Sequence, residues 1–289
     1  MATLSDWYSA ARPRTLPAAV APVLVGTGAA EALAQLHLDR ALLCLVVSLA
    51  LQVGVNFAND YSDGIRGTDA VRVGPTRMTA SGGASPTTVK RAAFGFFALA
   101  GLAGLILAAM TTWWLVPVGV ACVLAAWFYT GGPRPYGYAG YGEVFVFTFF
   151  GLVAVLGTTY VQAGTISVPA VGAAIGIGLL ACALLVANNL RDVHTDAAVG
   201  KRTLAVILGA PMTRRIFAML IVVAFLAIVV VGISHPWCLL ALLAAPLAVA
   251  PVRSVVGGAA GRDLIAVLGA TGRLELAYAV ALTVGLLLD

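Results

Sequence analysis

Two short runs carry most of the side chains capable of chemistry in an otherwise apolar chain. They are Asn56-Phe57-Ala58-Asn59-Asp60-Tyr61-Ser62-Asp63 and Asn188-Asn189-Leu190-Arg191-Asp192-Val193-His194-Thr195-Asp196. Residues three and four apart share a helix face, so Asn56, Asp60 and Asp63 fall on one stripe and Asn188, Asp192 and Asp196 on another. Each stripe is an amide followed by two acids, and neighbouring helices would bring four carboxylates and two amides to a common cavity. Like charges at that spacing repel unless a cation lies between them. A hard divalent ion meets the need, and Mg²⁺ takes one or two carboxylates, keeps some waters and completes its shell with phosphate oxygens. Arg66, Arg72 and Arg77 follow the first run; Arg191, Lys201 and Arg202 surround the second. Acids for a metal beside Arg and Lys for phosphoryl oxygens describe a diphosphate site. Either run alone reads equally well as a solvated helix end with structural ion pairs, and it is the duplicated pattern that favours a site.

The elements that must position these runs are membrane helices. Hydrophobic residues make up 61% of the 289 residues, charged residues 10%, and the mean hydropathy is +0.99, well outside the range of soluble domains. Apolar stretches long enough to cross a hydrocarbon core of about 30 Å lie near 16–36, 41–59, 92–110, 113–130, 144–163, 168–190, 215–233, 236–252 and 263–287. The expected fold is therefore all-α, a polytopic membrane bundle of about nine transmembrane helices forming one integral-membrane domain over 1–289. Threading these spans back and forth places fifteen of the 17 Lys and Arg on one side. Arg40 lies opposite and Arg273 inside the last span. The positive-inside rule then sets a cytoplasmic N-terminus and puts both acid-bearing runs at the cytoplasmic face of a bacterial cell membrane. Arg12 and Arg14 ahead of an apolar run resemble a signal peptide, but Pro17 and Pro22 interrupt that run, and an uncleaved first helix is expected. Cys44, Cys122, Cys182 and Cys238 each fall in a span without metal-ligand spacing. The basic balance, pI ≈ 9.2, suits anionic headgroups, with no pattern for nucleic acid.

A diphosphate site opening into a helical bundle within lipid suits a substrate with a charged head and an apolar tail, such as an isoprenyl diphosphate. Ala11-Arg12-Pro13-Arg14-Thr15-Leu16-Pro17-Ala18, Asn56 to Asp69 with Gly74-Pro75-Thr76-Arg77, Tyr129-Thr130-Gly131-Gly132-Pro133-Arg134-Pro135-Tyr136-Gly137-Tyr138, and Asn188 to Asp196 with Gly200-Lys201-Arg202-Thr203-Leu204 together resemble the UbiA-type intramembrane aromatic prenyltransferases almost end to end. The closest likeness is to the 1,4-dihydroxy-2-naphthoate polyprenyltransferase branch. The resemblance implies that Asp60, Asp63, Asp192 and Asp196 bind Mg²⁺ and carry the catalysis. It implies that Asn56, Arg66, Arg77, Asn188, Lys201 and Arg202 contact the diphosphate, and that Arg12, Arg14 and Tyr138 contact the acceptor. The implied reaction joins an isoprenyl diphosphate to 1,4-dihydroxy-2-naphthoate with loss of CO₂ and diphosphate. One departure is that the broader superfamily's further acid falls at Gly67 here, with Asp69 two residues later; this spacing fits the naphthoate branch better than the hydroxybenzoate branch.

Tyr61, Tyr129, Tyr136, Tyr138 and Phe57 are candidates to shelter an allylic cation, or else interfacial anchors. Glu143 reads as a helix N-terminal charge or a cavity group. Arg273 and Glu275, two apart, should face different surroundings. No role falls to His37, His194 or His235. Two rivals remain. Asp60-Tyr61-Ser62-Asp63-Gly64 opens like the metal motif of CDP-alcohol phosphatidyltransferases, but the rest of that motif is missing. A cation-coupled transporter is the alternative from another class; it would hold its acids near the bilayer midplane rather than at helix ends beside basic loops. A prenyltransferase for another aromatic acceptor is the nearer alternative.

Overall fold

The structure, a computed structural model, describes residues 2–68 and 77–289. The described residues are helical throughout, with no strand among them. The short α1 (Leu4–Ala10) is followed by α2 (Pro17–Glu31), α3 (Leu38–Arg66), α4 (Pro86–Met110) and α5 (Leu115–Phe128). Next come α6 (Gly142–Ala163), α7 (Val168–Arg191) and the short α8 (Val193–Ala198). The bundle ends with α9 (Leu204–Gly232), the bent pair α10 (Pro236–Ala244 and Pro246–Val256) and α11 (Leu264–Leu288). Each of the nine apolar stretches expected from sequence coincides with a helix. Six described helices are long and apolar enough to cross a membrane, seven if the pair bent by 48° counts as one span. The other two, α2 and α5, have 15 and 14 residues, about 22 Å at 1.5 Å per residue.

Local chemistry sets several starts. Ser85, Ser167 and Thr203 each accept a hydrogen bond from the amide three residues on, at 3.2, 3.3 and 3.4 Å, which satisfies one of the orphan donors of a helix N-terminus. Pro86 and Pro169 follow within the first turn, where a missing N–H costs nothing. The core lies around α7. Its most apolar window is 72% buried, against 28% in α6 and 33% in α4 and α9, so α7 is wrapped by helices while these three show a face to lipid. It packs on α6, α9 and α11, and α2 bridges α3, α6, α7 and α11. Where α6 crosses α7, a Cβ on Gly151 would lie 2.7 Å from the Gly178 Cα, and one on Gly178 3.0 Å from the Gly151 Cα. Two glycines at the crossing let the backbones meet, the close approach that membrane helix pairs exploit.

Three local features depart from uninterrupted helices. α6 adopts π-helical geometry over Phe147–Leu156. α9 is broken at Gly209, with Pro211 just beyond. Above all, α7 stops at Arg191, and Asp192 (φ −98°, ψ 6°) lies between it and α8. The expected single helical stripe of Asn188, Asp192 and Asp196 is therefore corrected: Asp192 sits at a break, with Asn188 before it and Asp196 beyond it. The amide of Asp196 still donates to the Asp192 carbonyl at 2.8 Å.

Candidate active site

The first acid-bearing run ends α3, and each of its acids is held by a different loop. Asp60 is fully buried and accepts from the amides of Met78 at 2.8 Å and Thr79 at 2.9 Å, one per carboxylate oxygen. Gly64, one turn on, makes room for this approach, since a Cβ there would strike the Thr79 side chain at 2.4 Å. Asp63 accepts from the Tyr138 hydroxyl at 2.6 Å and faces the Arg77 guanidinium at 3.5 Å. Arg66 donates to the carbonyls of Thr130 and Gly132, and Thr130 in turn donates its hydroxyl to Asn59 at 2.8 Å. The second run is paired in the same manner. Arg191 forms a bidentate pair with its neighbour Asp192, at 2.7 and 2.6 Å, and Lys201 lies 3.5 Å from Asp196.

Tyr138 joins the two runs. Its ring lies beneath the Arg66 guanidinium at 5.4 Å and the Lys201 ammonium at 5.2 Å, while its hydroxyl holds Asp63. The amide of Arg202 donates to the Tyr138 carbonyl at 3.0 Å, which fixes the loop against the start of α9. Burial, then the charge of Asp63 and the hydrogen bond to it, raise the Tyr138 phenol above its ordinary value. The residue therefore sits with the acids and cations rather than in the cavity expected for an acceptor.

Beside this cluster lies a cavity of about 1240 Å³. Its polar end collects Arg12, Arg14, Gln52, Asn56, Asn59, Asn188 and Arg191. The remainder is apolar, lined by α3, α4, α5 and α6 side chains including Leu51, Leu105, Val120, Phe149 and Val153. Both amides of the sequence stripes thus reach the cavity, but the four acids do not line it. They stand behind its polar end, each held by its own donors, and no three acid, His or Cys side chains converge as a metal shell among the described residues. Sequence spacing places residues on a face; it does not show the loop amides and cations that take up that face.

The remaining expected residues divide. Asn56 donates both amide hydrogens to the turn ahead of α2, to the Ala11 carbonyl at 2.9 Å and the Thr15 hydroxyl at 3.1 Å. Tyr129 and Tyr136 line the cavity. Tyr61 instead stacks on Trp127 at 6.1 Å, and Phe57 meets Trp7 edge-on at 5.5 Å. Glu143 accepts from Asn189 at 3.0 Å. Glu275 is wholly buried while Arg273 is exposed, in keeping with their spacing. Asp69 and Arg72 lie outside the described residues. Sequence reasoning missed Gln52, one turn before Asn56 on the same stripe; extending the i, i+4 pattern backwards would have found it. Thr15 and Thr130 gave no signal of their own.

The model of the UbiA prenyltransferase family matches residues 19–263. A 1,4-dihydroxy-2-naphthoate octaprenyltransferase of Mycobacterium tuberculosis is 52% identical over 281 residues, covering 97% of this chain and 96% of the relative. The protein of the same name from Escherichia coli is 39% identical over 262 residues, covering 86% and 84%. Among solved structures, a UbiA homologue from Archaeoglobus fulgidus bound to DMAPP and Mg²⁺ superimposes with a TM-score of 0.66 at 16% identity, covering 96% of this chain and 99% of the other.

Proposed function

The chain belongs to the UbiA prenyltransferase family, and from that premise we propose that it is a 1,4-dihydroxy-2-naphthoate polyprenyltransferase of menaquinone biosynthesis. It is a multi-pass membrane protein that transfers an isoprenyl chain from its diphosphate to the naphthoate ring with loss of CO₂ and diphosphate, giving demethylmenaquinol. The observation that carries this reading is the cavity itself. Its cationic and amide-lined end adjoins the two acid-bearing runs, and its apolar body runs between α3, α4, α5 and α6, the division a charged head and isoprenyl tail require. The acceptor is supported by full-length relatives at 52% and 49% identity.

Asp60, Asp63, Asp192 and Asp196 fit Mg²⁺ by donor type, since all offer hard oxygen ligands. Asp63 faces Arg77 at 3.5 Å and Asp196 faces Lys201 at 3.5 Å, and because a carboxylate offers about four acceptor sites, a metal can share these oxygens with the cations. When bound, Mg²⁺ supplies charge neutralisation at the departing diphosphate. Arg77, Arg191 and Lys201 pair with the carboxylates and are the cations that would meet diphosphate oxygens, with Arg66, Arg202 and Asn188 beside them. Arg12 and Arg14 meet the acceptor's carboxylate, and Tyr129 and Tyr136 present ring faces to the allylic cation. The allylic C–O bond breaks with its electron pair leaving on the diphosphate, the acceptor's ring carbon then forms the new C–C bond to the cation, and the ring's carboxylate leaves as CO₂, its bonding pair restoring the aromatic ring. The cytoplasmic side of a bacterial cell membrane is the placement that the segregation of Lys and Arg supports.

The test is a mass-spectrometric assay of detergent-purified protein with an isoprenyl diphosphate and 1,4-dihydroxy-2-naphthoate, with Mg²⁺ or with EDTA. A prenylated, decarboxylated product that needs Mg²⁺ and is lost in Asp60→Ala and Asp192→Ala is the expected result. Folded protein that gives no product with any isoprenyl donor would sink the reading.

A further inference from the structure

The hydroxyl of Thr15 has every hydrogen-bonding position filled. It donates to the Arg12 carbonyl at 2.9 Å and accepts from Gln52 Nε2 at 2.9 Å and Asn56 Nδ2 at 3.1 Å, which is one donor and two acceptor sites, the full inventory of a hydroxyl. The second amide hydrogen of Asn56 goes to the Ala11 carbonyl, and the Thr15 amide returns to the Arg12 carbonyl at 2.9 Å. Two side chains one turn apart on α3 thus grip the turn between α1 and α2 from a rigid helix. That turn needs gripping. Arg12 has φ 54° and ψ 67°, a left-handed conformation uncommon for an arginine, and the following Pro13 restricts it further. Such conformations persist where surrounding bonds over-determine them, and they collect at ligand clamps. Arg12, Arg14, Thr15, Gln52 and Asn56 all line the cavity.

We propose that Thr15 and Gln52 are positioning residues for the acceptor: they hold the Arg12 backbone in its left-handed turn so that its guanidinium meets the naphthoate carboxylate. The inference rests on the acceptor reading above and adds the residues that set the acceptor's place. A guanidinium binds a carboxylate through a planar fork whose orientation matters. A turn that relaxes to ordinary backbone geometry moves the fork away from the anion. The acids of the donor site are untouched by that change, because Met78, Thr79, Tyr138, Arg191 and Lys201 hold them.

Steady-state kinetics of Thr15→Val and Gln52→Leu, with both substrates varied, test this. The expected result is a KM for 1,4-dihydroxy-2-naphthoate raised about tenfold, with kcat and the donor KM within about twofold of the parent. Inhibition by naphthalene-1,4-diol, which lacks the carboxylate, should be unchanged, and Thr15→Ser should return the acceptor KM to the parent value. An unchanged acceptor KM overturns the inference, as does a matched rise in both KM values or equal weakening of diol inhibition. If one variant loses its melting transition in detergent, the other carries the test; loss in both marks a purely structural clamp and overturns the positioning role. A parent protein that makes no prenylated naphthoate fails the functional reading itself, whereas an active parent with wild-type-like variants fails only the inference.

Discussion

Tyr138 and Asp60 show how single atoms tie the two acid-bearing runs to their loops. The phenol of Tyr138 donates to Asp63 at 2.6 Å while its ring carries two cations. Tyr138→Phe keeps the ring and removes only the donor, leaving a buried carboxylate with one hydrogen bond fewer. A charge-assisted bond of this kind contributes about 1.5–3 kcal/mol, so kcat/KM for the isoprenyl diphosphate should fall about tenfold or more; an unchanged value would show that the bond plays no part in donor binding. The raised phenol also has a pH signature. The stability gained by keeping Tyr138 neutral is fully present below the ordinary value of 10.0 and is lost as the pH rises above it through the folded value. Thermal melts in detergent between pH 9 and 11 should therefore show an alkaline loss of stability that Tyr138→Phe reduces; an identical loss in the variant would assign it to other groups, such as Tyr136, whose phenol burial also raises. Asp60→Asn poses a sharper steric question. It places an amide NH₂ against the amide of Met78 or Thr79, so it should disorder the loop as well as abolish activity, which hydrogen exchange at 78–80 reads directly.

Helices were legible from their apolar runs, and the start expected at 168 coincides with the cap Ser167 ahead of Pro169; the starts expected at 92 and 215 fell inside α4 and α9, which begin earlier, after the caps Ser85 and Thr203. What lies at the ends of helices was less so. The i, i+4 spacing of Asn188, Asp192 and Asp196 reads as one helix, yet the chain turns at Asp192, where a side-chain pair with Arg191 and the handover to α8 replace the helical register. Nor does any local pattern announce that Tyr138, fifty residues or more from either run, would join them; loop-mediated contacts of that kind depend on how helices pack, and the packing is set elsewhere. The α6–α7 crossing is such a determinant. Gly178→Val would drive a branched side chain into the Gly151 backbone and the Phe147 ring, and overpacking of this order costs about 1–3 kcal/mol. The melting temperature of the purified protein should drop, and activity should fall with it because α7 carries Asn188 and Arg191; an unchanged melting temperature would mean the two helices separate without cost.

At the scale of the whole molecule, the bundle divides its interior between a polar end, where cations and amides gather, and an apolar body large enough for a long tail. The walls of that body include Gly101 and Gly104 on α4, where an added Cβ would meet nothing within 4 Å. These positions face open space inside the cavity rather than a neighbouring helix. A larger side chain there has room to stand without straining the fold, but it takes volume from the tail. Gly104→Phe should therefore leave turnover of short isoprenyl donors near the parent value and depress kcat/KM progressively as the donor lengthens. Gly95, on the same helix, is equally open but does not line the cavity, so Gly95→Phe is the control for insertion and folding and should leave the length profile flat. A uniform loss across all donors in Gly104→Phe would mean the tail follows another route. A loss confined to long donors would place the tail along α4 and make this wall the gauge of its length.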